Sequence, residues 1–235
     1  MIPVAPIFEV GVLDPPWDFK VYNRDSGLGR SAASHYRVMT LEEVCALPVG
    51  KLFAQNAVLF LWIPECRIFD AREVFDTWEF TFKTVGFNWT KLSRGTRDGD
   101  LDRLLAAHRE LVRFKRRTSE RVDRFLAEAM DLGPIKYHMG MGYHTRANPE
   151  VCLLATRGKG LPTVDRGVRE WIVSPVRRHS QKPERVFADI ERLYGPRTRL
   201  EGFARARRPN WATWGDEVDS DIVLRDGEWF WKNGG

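Results

Sequence analysis

Val58-Leu59-Phe60-Leu61-Trp62 is an unbroken apolar run, and it constrains the fold more than any other feature of the chain. A strand with one wet face alternates apolar and polar residues. A run without alternation is typical of a strand buried on both faces. Ile7 to Leu13, Phe87 to Lys91, Val151 to Ala155, Trp171 to Val173 and Arg199 to Ala204 read as further strands. Helical signals lie between them. Thr40-Leu41-Glu42-Glu43 is a capping box opening a short helix that Pro48 closes. A helix is expected from about Glu65 to Trp78. Another is expected from a Ser180 cap, with Pro183 in its first turn, to Tyr194, where Gly195-Pro196 stops it. This alternation predicts an α/β fold around a mostly parallel sheet. With 235 residues, 43% of them hydrophobic, the chain can bury one substantial core, so a single domain over 1–235 is expected.

Residues 98–132 change character. Leu101, Leu104, Leu105, His108, Leu111 and Val112 recur at helical spacing, and Val122, Phe125, Leu126 and Ala129 resume it before Gly133-Pro134. The pattern predicts a helical hairpin inserted into the domain. Arg113-Phe114-Lys115-Arg116-Arg117 falls near its tip. It reads as a solvated helix end, as a clamp on nucleic-acid phosphates, or as a homodimer surface; the clamp is the working hypothesis. Residues 18–36, with Gly27 and Gly29, form a long loop, and long loops inside compact domains are often functional. Near the end, Ile222 to Arg225, Asp226-Gly227 and Glu228 to Trp231 spell a hairpin of about 221–231 with a favoured tight turn.

Cys45, Cys66 and Cys152 are odd in number, far apart and set in apolar stretches, which reads as buried free thiols in a reducing compartment. No CxxC or paired His/Cys spacing points to a metal. The amino terminus lacks the basic start and apolar run of a signal peptide. No apolar run reaches the ~20 residues of a membrane helix, so a cytoplasmic location without a membrane partner is expected. Lys and Arg outnumber Asp and Glu by 37 to 32, for a net charge of +5. The mild excess suits a polyanionic partner.

Asp14-Pro15-Pro16-Trp17 follows the first strand directly. Ligands in α/β sheets sit beyond the carboxyl ends of strands, and this tetrapeptide lies at such an end. Its composition suits methylation of an aromatic amine. The lone pair of such an amine is delocalised into the ring, so the nitrogen is a poor nucleophile. A carboxylate accepting one N–H, and a backbone carbonyl accepting the other, would draw it toward tetrahedral geometry. Two prolines hold that carbonyl in place. The tryptophan ring offers a plate on which an extruded base could stack. Asp-Pro-Pro is also ordinary loop punctuation, so the tetrapeptide alone leaves both readings open.

Here the sequence resembles the MT-A70 family of adenine-N6 methyltransferases, which includes the catalytic subunit of the eukaryotic mRNA adenosine methyltransferase and many phage and bacterial DNA enzymes. Asp14 to Trp17 is similar to the family's catalytic motif. His35 to Val44 resembles the segment after its first mobile loop, and Val58 to Trp62 its "LFLW" strand. Gly142 to Leu154 resembles its second active-site loop and the next strand. His179-Ser180-Gln181-Lys182-Pro183-Glu184 resembles its "HS-x-KP" motif. Leu200 to Arg205, then Arg208 to Trp211, resemble its cofactor-binding end. The blocks occur in the order of a permuted methyltransferase and cover most of the chain outside 98–132 and the last dozen or so residues.

The resemblance implies a Rossmann-like sheet and an S-adenosylmethionine cofactor. It assigns Asp14 to the target amine, and Pro15, Pro16 and Trp17 to positioning the base. Asp14, Lys182, Phe203, Arg205, Asn210, Asp216 and Glu217 would lie near the cofactor. Trp17, Tyr36, Tyr143, His144, Arg146 and Asn148 would lie near the substrate. The family usually has leucine where Gly202 stands. Glycine there would widen the pocket or let the chain approach the cofactor closely. Of Arg205, Arg207 and Arg208, one is expected to serve the cofactor and the rest to form a solvated face.

The expected activity is methyl transfer to the exocyclic N6 amino group of adenine in DNA, since the compact chain shows no added RNA-binding domain. The same reaction on RNA adenosine is the alternative. Two other classes stand behind it: a non-catalytic nucleic-acid-binding partner subunit, against which the intact tetrapeptide argues, and methylation of a small-molecule or protein amine.

Overall fold

The central apolar run becomes the buried middle of β3 (Phe53–Ile63), in which every residue from Ala57 to Ile63 is buried. The structure is a computed structural model, and it describes residues 2–5, 7–18, 38–97, 99–113, 119–131, 136–140, 142, 144–178 and 181–232. Successive β3 side chains serve opposite faces of the sheet, as strand geometry requires. Leu59 and Leu61 join a core with Val44 of α1 (Leu41–Ala46) and with Val74 and Phe75 of α2 (Ala71–Thr77). Phe60 turns the other way. Its ring lies 5.4 Å from Phe87 and 6.2 Å from Tyr194 of α5 (Glu184–Tyr194). The alternation fails in the sequence because both faces are covered.

The remaining strands are β1 (Ile2–Pro3), β2 (Phe8–Leu13), β4 (Thr81–Leu92), β5 (Glu150–Arg157), β6 (Trp171–Pro175), β7 (Arg199–Gly202), β8 (Ala212–Trp214), β9 (Ile222–Arg225) and β10 (Glu228–Trp231). Seven form one sheet in the order β6-β4-β5-β3-β2-β7-β8. β2 runs parallel to both β3 and β7, and β7 parallel to β8; β3 and β5 are antiparallel. This is the expected α/β, Rossmann-like arrangement. The chain leaves β2 toward β3 on one side and returns as β7 on the other. The carboxyl end of β2 is therefore a topological switch point, where α/β sheets open a crevice.

Two compact units divide the chain. One comprises Met1–Asn88, Glu150–Glu170 and Glu184–Gly235; the other comprises Trp89–Pro149 and Trp171–Pro183. The first unit also holds a small antiparallel sheet, β1-β10-β9. Its β9–β10 turn is the expected Asp226-Gly227, with φ of 48° and 78°, the left-handed pair that a two-residue hairpin needs. The second unit contains the helices α3 (Asp100–Arg113) and α4 (Ser119–Asp131), which pack against each other within the stretch read as a hairpin. Most of its basic tip lies outside the described residues, as do residues 19–36 of the long loop. No described helix is long and apolar enough to cross a membrane.

Local expectations hold or shift for identifiable reasons. The capping box at Thr40 is complete: the hydroxyl accepts from Glu43 N–H at 3.2 Å, and Glu43 accepts from Thr40 N–H at 2.9 Å. The helix expected over Glu65–Trp78 is instead a 3-10 segment, Glu65–Asp70, followed by α2. In that tighter turn Arg67 pairs with Asp70 and donates twice to the Asp18 carbonyl. α5 begins at Glu184, so Pro183 precedes its first turn rather than lying in it; a proline disfavours helical geometry in the residue before it, here Lys182. Ser180 lies outside the described residues. β4 extends well before Phe87; its first four residues are exposed and break the apolar run, so the sequence pattern marks only the buried later part. Cys152 is buried, but Cys66 is exposed on the 3-10 segment, so the thiols are not uniformly core.

Candidate active site

β2 ends in register with Leu61 of β3 and Gly202 of β7, both paired with Leu13. The next residue, half-buried Asp14, stands just beyond the ladder. The three residues after it are fastened from several sides. Trp17 N–H donates to the Pro15 carbonyl at 2.9 Å, and Met39 N–H to the Pro16 carbonyl at 2.7 Å. Asp18 N–H donates to the Met39 carbonyl at 2.8 Å, completing a parallel bridge between Trp17 and Met39. The Trp17 indole N–H donates to the Trp62 carbonyl at 2.9 Å. Each proline carbonyl keeps a second lone pair for another donor.

Trp17 is only 3% exposed and belongs to the hydrophobic core. The expectation of a free plate for base stacking is corrected here. With its N–H committed to β3 and its ring packed, Trp17 anchors the tetrapeptide.

Beyond β7 the chain turns sharply. Phe203 adopts φ of 58°, and its ring lies 4.5 Å from that of Trp214 at the end of β8. Ala204 N–H donates to the Trp214 carbonyl at 2.8 Å. Gly202 does not widen a pocket. A Cβ there would meet Leu13 Cγ at 3.0 Å and Trp214 Cε3 at 3.2 Å, so neighbouring side chains already fill the space a leucine would need. Arg205 pairs with exposed Glu217 at 3.4 Å, and Asn210, at φ of 64°, and Asp216 are exposed. Asp14, Phe203, Arg205, Asn210, Asp216 and Glu217 thus all lie on segments following the carboxyl ends of β2, β7 and β8.

One charged group there escaped the sequence reading. Glu201 is in register with Val12 and Thr213 inside the sheet. Arg208 donates to it at 2.7 Å, also pairs with Glu184, and lays its guanidinium 3.6 Å from the centre of the Phe187 ring. One cation therefore serves two carboxylates. Burial pushes the Glu201 carboxyl up to about 7, against the pull of Arg208, and the charges of Glu184 and Asp14 add to the rise. Arg207 is exposed and pairs with Asp221, so it stands on a solvated face while holding a partner. The available signal was a glutamate inside the otherwise apolar Leu200-Glu201-Gly202.

Lys182, His144, Arg146 and Asn148 belong to the second unit. Lys182 is half-buried; His144 and Arg146 are exposed. The side chain of Asn148 is committed elsewhere. It accepts from Lys91 N–H at 3.0 Å and donates to the Lys91 and His138 carbonyls at 2.9 and 2.5 Å. Both amide hydrogens are used, so Asn148 staples backbone segments and has no donor left for a substrate. Tyr36 and Tyr143 lie outside the described residues.

The family model MT-A70 matches residues 8–112 and 130–217. The unmatched stretch between them falls within the α3–α4 hairpin. The chain is 23% identical over 231 residues to the Type II methyltransferase M.MunI of Mycoplasma sp, covering 92% of this chain and 80% of that protein. It is 25% identical over 225 residues to an N(6)-adenosine-methyltransferase MT-A70-like protein of Drosophila melanogaster, covering 94% of this chain and 28% of the relative. It is 23% identical over 220 residues to the N(6)-adenosine-methyltransferase subunit METTL3 of Danio rerio, covering 92% and 29%. The chain thus spans most of the bacterial relative and little more than a quarter of these two eukaryotic ones.

Proposed function

The chain belongs to the MT-A70 family of methyltransferases, and from that premise we propose that it methylates the exocyclic N6 amino group of adenine in DNA, using S-adenosylmethionine. The observation that carries this reading is the fastened Asp14-Pro15-Pro16-Trp17 at the switch point beside β7. The preference for DNA rests on the bacterial relative, which is matched over 80% of its own length.

The residues fit the methyl donor. It carries an ammonium and a sulfonium, and the half-buried Asp14 carboxylate stands where its charge is also felt by Glu201. The Phe203 ring and the Arg205–Glu217 pair add apolar and polar contacts on the neighbouring strand end. When bound, S-adenosylmethionine supplies an electrophilic methyl group.

The chain's own residues do the rest. Asp14 accepts one N–H of the adenine amine, and a carbonyl of the proline pair accepts the other. The two acceptors pull the nitrogen out of conjugation, so that its lone pair is free to attack. Positive charge grows on the nitrogen as its bond to the methyl carbon would form and the methyl–sulfur bond would break, and the N–H proton held against Asp14 then passes to that carboxylate. Hydrogen bonds to Met39 and Trp62 keep the tetrapeptide from moving as this happens, so little reorganisation is needed in the transition state.

The test is incubation of the purified chain with radiolabelled S-adenosylmethionine and matched DNA and RNA oligonucleotides, followed by nucleoside analysis. N6-methyladenine in DNA supports the reading. Methylation of the RNA alone would move the substrate to RNA, and no methyl transfer to adenine in either would overturn the proposal.

A further inference from the structure

Around the carboxyl end of β4, in the second unit, three stretches come together: 89–97, the described residues of 136–149, and 171–178. Ser93 N–H donates to the Lys136 carbonyl at 2.7 Å, His138 N–H to the Lys91 carbonyl at 2.9 Å, and Val176 N–H to the Leu92 carbonyl at 2.9 Å. The Asn148 side chain ties the first two segments, and the Trp89 indole donates to the Ser174 carbonyl of the third at 3.1 Å. This lacing makes a backbone platform.

Its charge is one-sided. Lys91, Arg94 and Arg97 lie on the first segment, Lys136 and Arg146 on the second, and Arg177 and Arg178 on the third, with no Asp or Glu on any of them. At the chain's average composition, segments of this total length would hold about four acids. All of these cations except Lys91 are exposed. Arg97 is paired with the buried Asp100 at 3.2 Å, which leaves the positive balance intact.

Two large side chains stand among them. Tyr137 is 65% exposed and Met139 75%. They are two residues apart on a segment that bridges to Leu92, so they share one side of an extended backbone. An exposed aromatic and an exposed methionine two residues apart, on laced segments that carry seven cations and no Asp or Glu of their own, match what grips nucleic acid. The cations meet phosphates, and the apolar pair meets base faces or wedges between them.

We propose that Tyr137 and Met139, within the acid-free basic platform at the end of β4, form a docking surface for a nucleic-acid strand. The proposal rests on the reading that adenine in nucleic acid is the substrate, and it adds where that polymer is held. Phosphate contacts fix position, while Tyr137 and Met139 contact unstacked bases.

The test is fluorescence anisotropy with the full chain and labelled adenine-containing DNA, single-stranded and duplex, across a series of salt concentrations. Tyr137→Ala combined with Met139→Ala is expected to weaken binding about tenfold or more, since each stacked base contributes at that level. Arg94→Gln combined with Arg178→Gln is expected to lower the slope of log affinity against log salt by about 1.5. Calorimetric affinity for S-adenosylmethionine and the melting temperature should stay unchanged in both double variants. If the unaltered chain methylates DNA and the variants bind it within twofold of its affinity, this surface is wrong and the proposed function stands. If the variants change the sedimentation behaviour of the free protein while DNA affinity holds, the face meets another protein and the proposal fails. If the unaltered chain neither binds nor methylates nucleic acid, both readings fail together.

Discussion

Replacing Trp17 by phenylalanine separates an anchor from a stacking plate. The substitution keeps one aromatic ring at a site 3% exposed but deletes the indole N–H that donates to the Trp62 carbonyl at 2.9 Å. A buried carbonyl left without its donor costs about 1–3 kcal/mol. The atoms lost from the second ring leave a void in a packed core, worth roughly a further 1 kcal/mol. The sum is about 2–4 kcal/mol. For a chain of this length each kcal/mol moves the melting temperature by about 2–4 °C, so a fall of about 4–16 °C is expected. Calorimetry or urea titration with an unchanged m-value measures it. Because the same bond fixes the tetrapeptide proposed to hold the adenine amine, kcat should fall while KM for the oligonucleotide changes little. A melting temperature within 1 °C of the parent, together with a raised KM, would refute the anchor and return Trp17 to base stacking.

Other outcomes follow from the same geometry. Gly202→Leu should lower stability by about 1–3 kcal/mol, read by urea titration, because its first side-chain carbon already crowds Leu13 and Trp214. The Glu201 carboxyl is raised to about 7 in the fold, so its contribution to stability is complete below about pH 4.5 and is lost as pH rises through 7. Glu201→Gln should remove up to about 3 kcal/mol of that slope, measured by urea titration from pH 4 to 8; an unchanged slope would mean that Arg208 fully offsets the burial. Asn148→Ala should speed hydrogen exchange at His138 and Lys91 by local opening, with S-adenosylmethionine affinity unchanged.

The sequence made the sheet and the position of the Asp14–Trp17 segment at a strand end legible because their signals are local. An unbroken apolar run reports burial on both faces, and two prolines after a strand report its end. The capping box at Thr40 and the turn at Asp226-Gly227 are complete within a few residues. What stayed hidden depends on distant partners. Trp17 reads equally well as plate or anchor until the Trp62 carbonyl, 45 residues on, receives its N–H. Asn148 reads as a substrate contact until Lys91, 57 residues back, engages both ends of its amide. Glu201 had a local signal, a charge inside a buried strand, but its meaning needed Arg208 and Glu184 to fold over it. The short β1 and β8 carry too few residues for any periodicity.

Single-turnover methyl transfer by Asp14→Asn, at saturating S-adenosylmethionine and DNA, is the most direct measurement. Asparagine keeps the size of the side chain and removes the carboxylate to which the proposed mechanism assigns the amine and its proton. The rate should fall about a thousandfold or more, with the melting temperature preserved. Transfer within a fewfold of the parent rate would contradict the assignment of Asp14 as the group that prepares the adenine nitrogen.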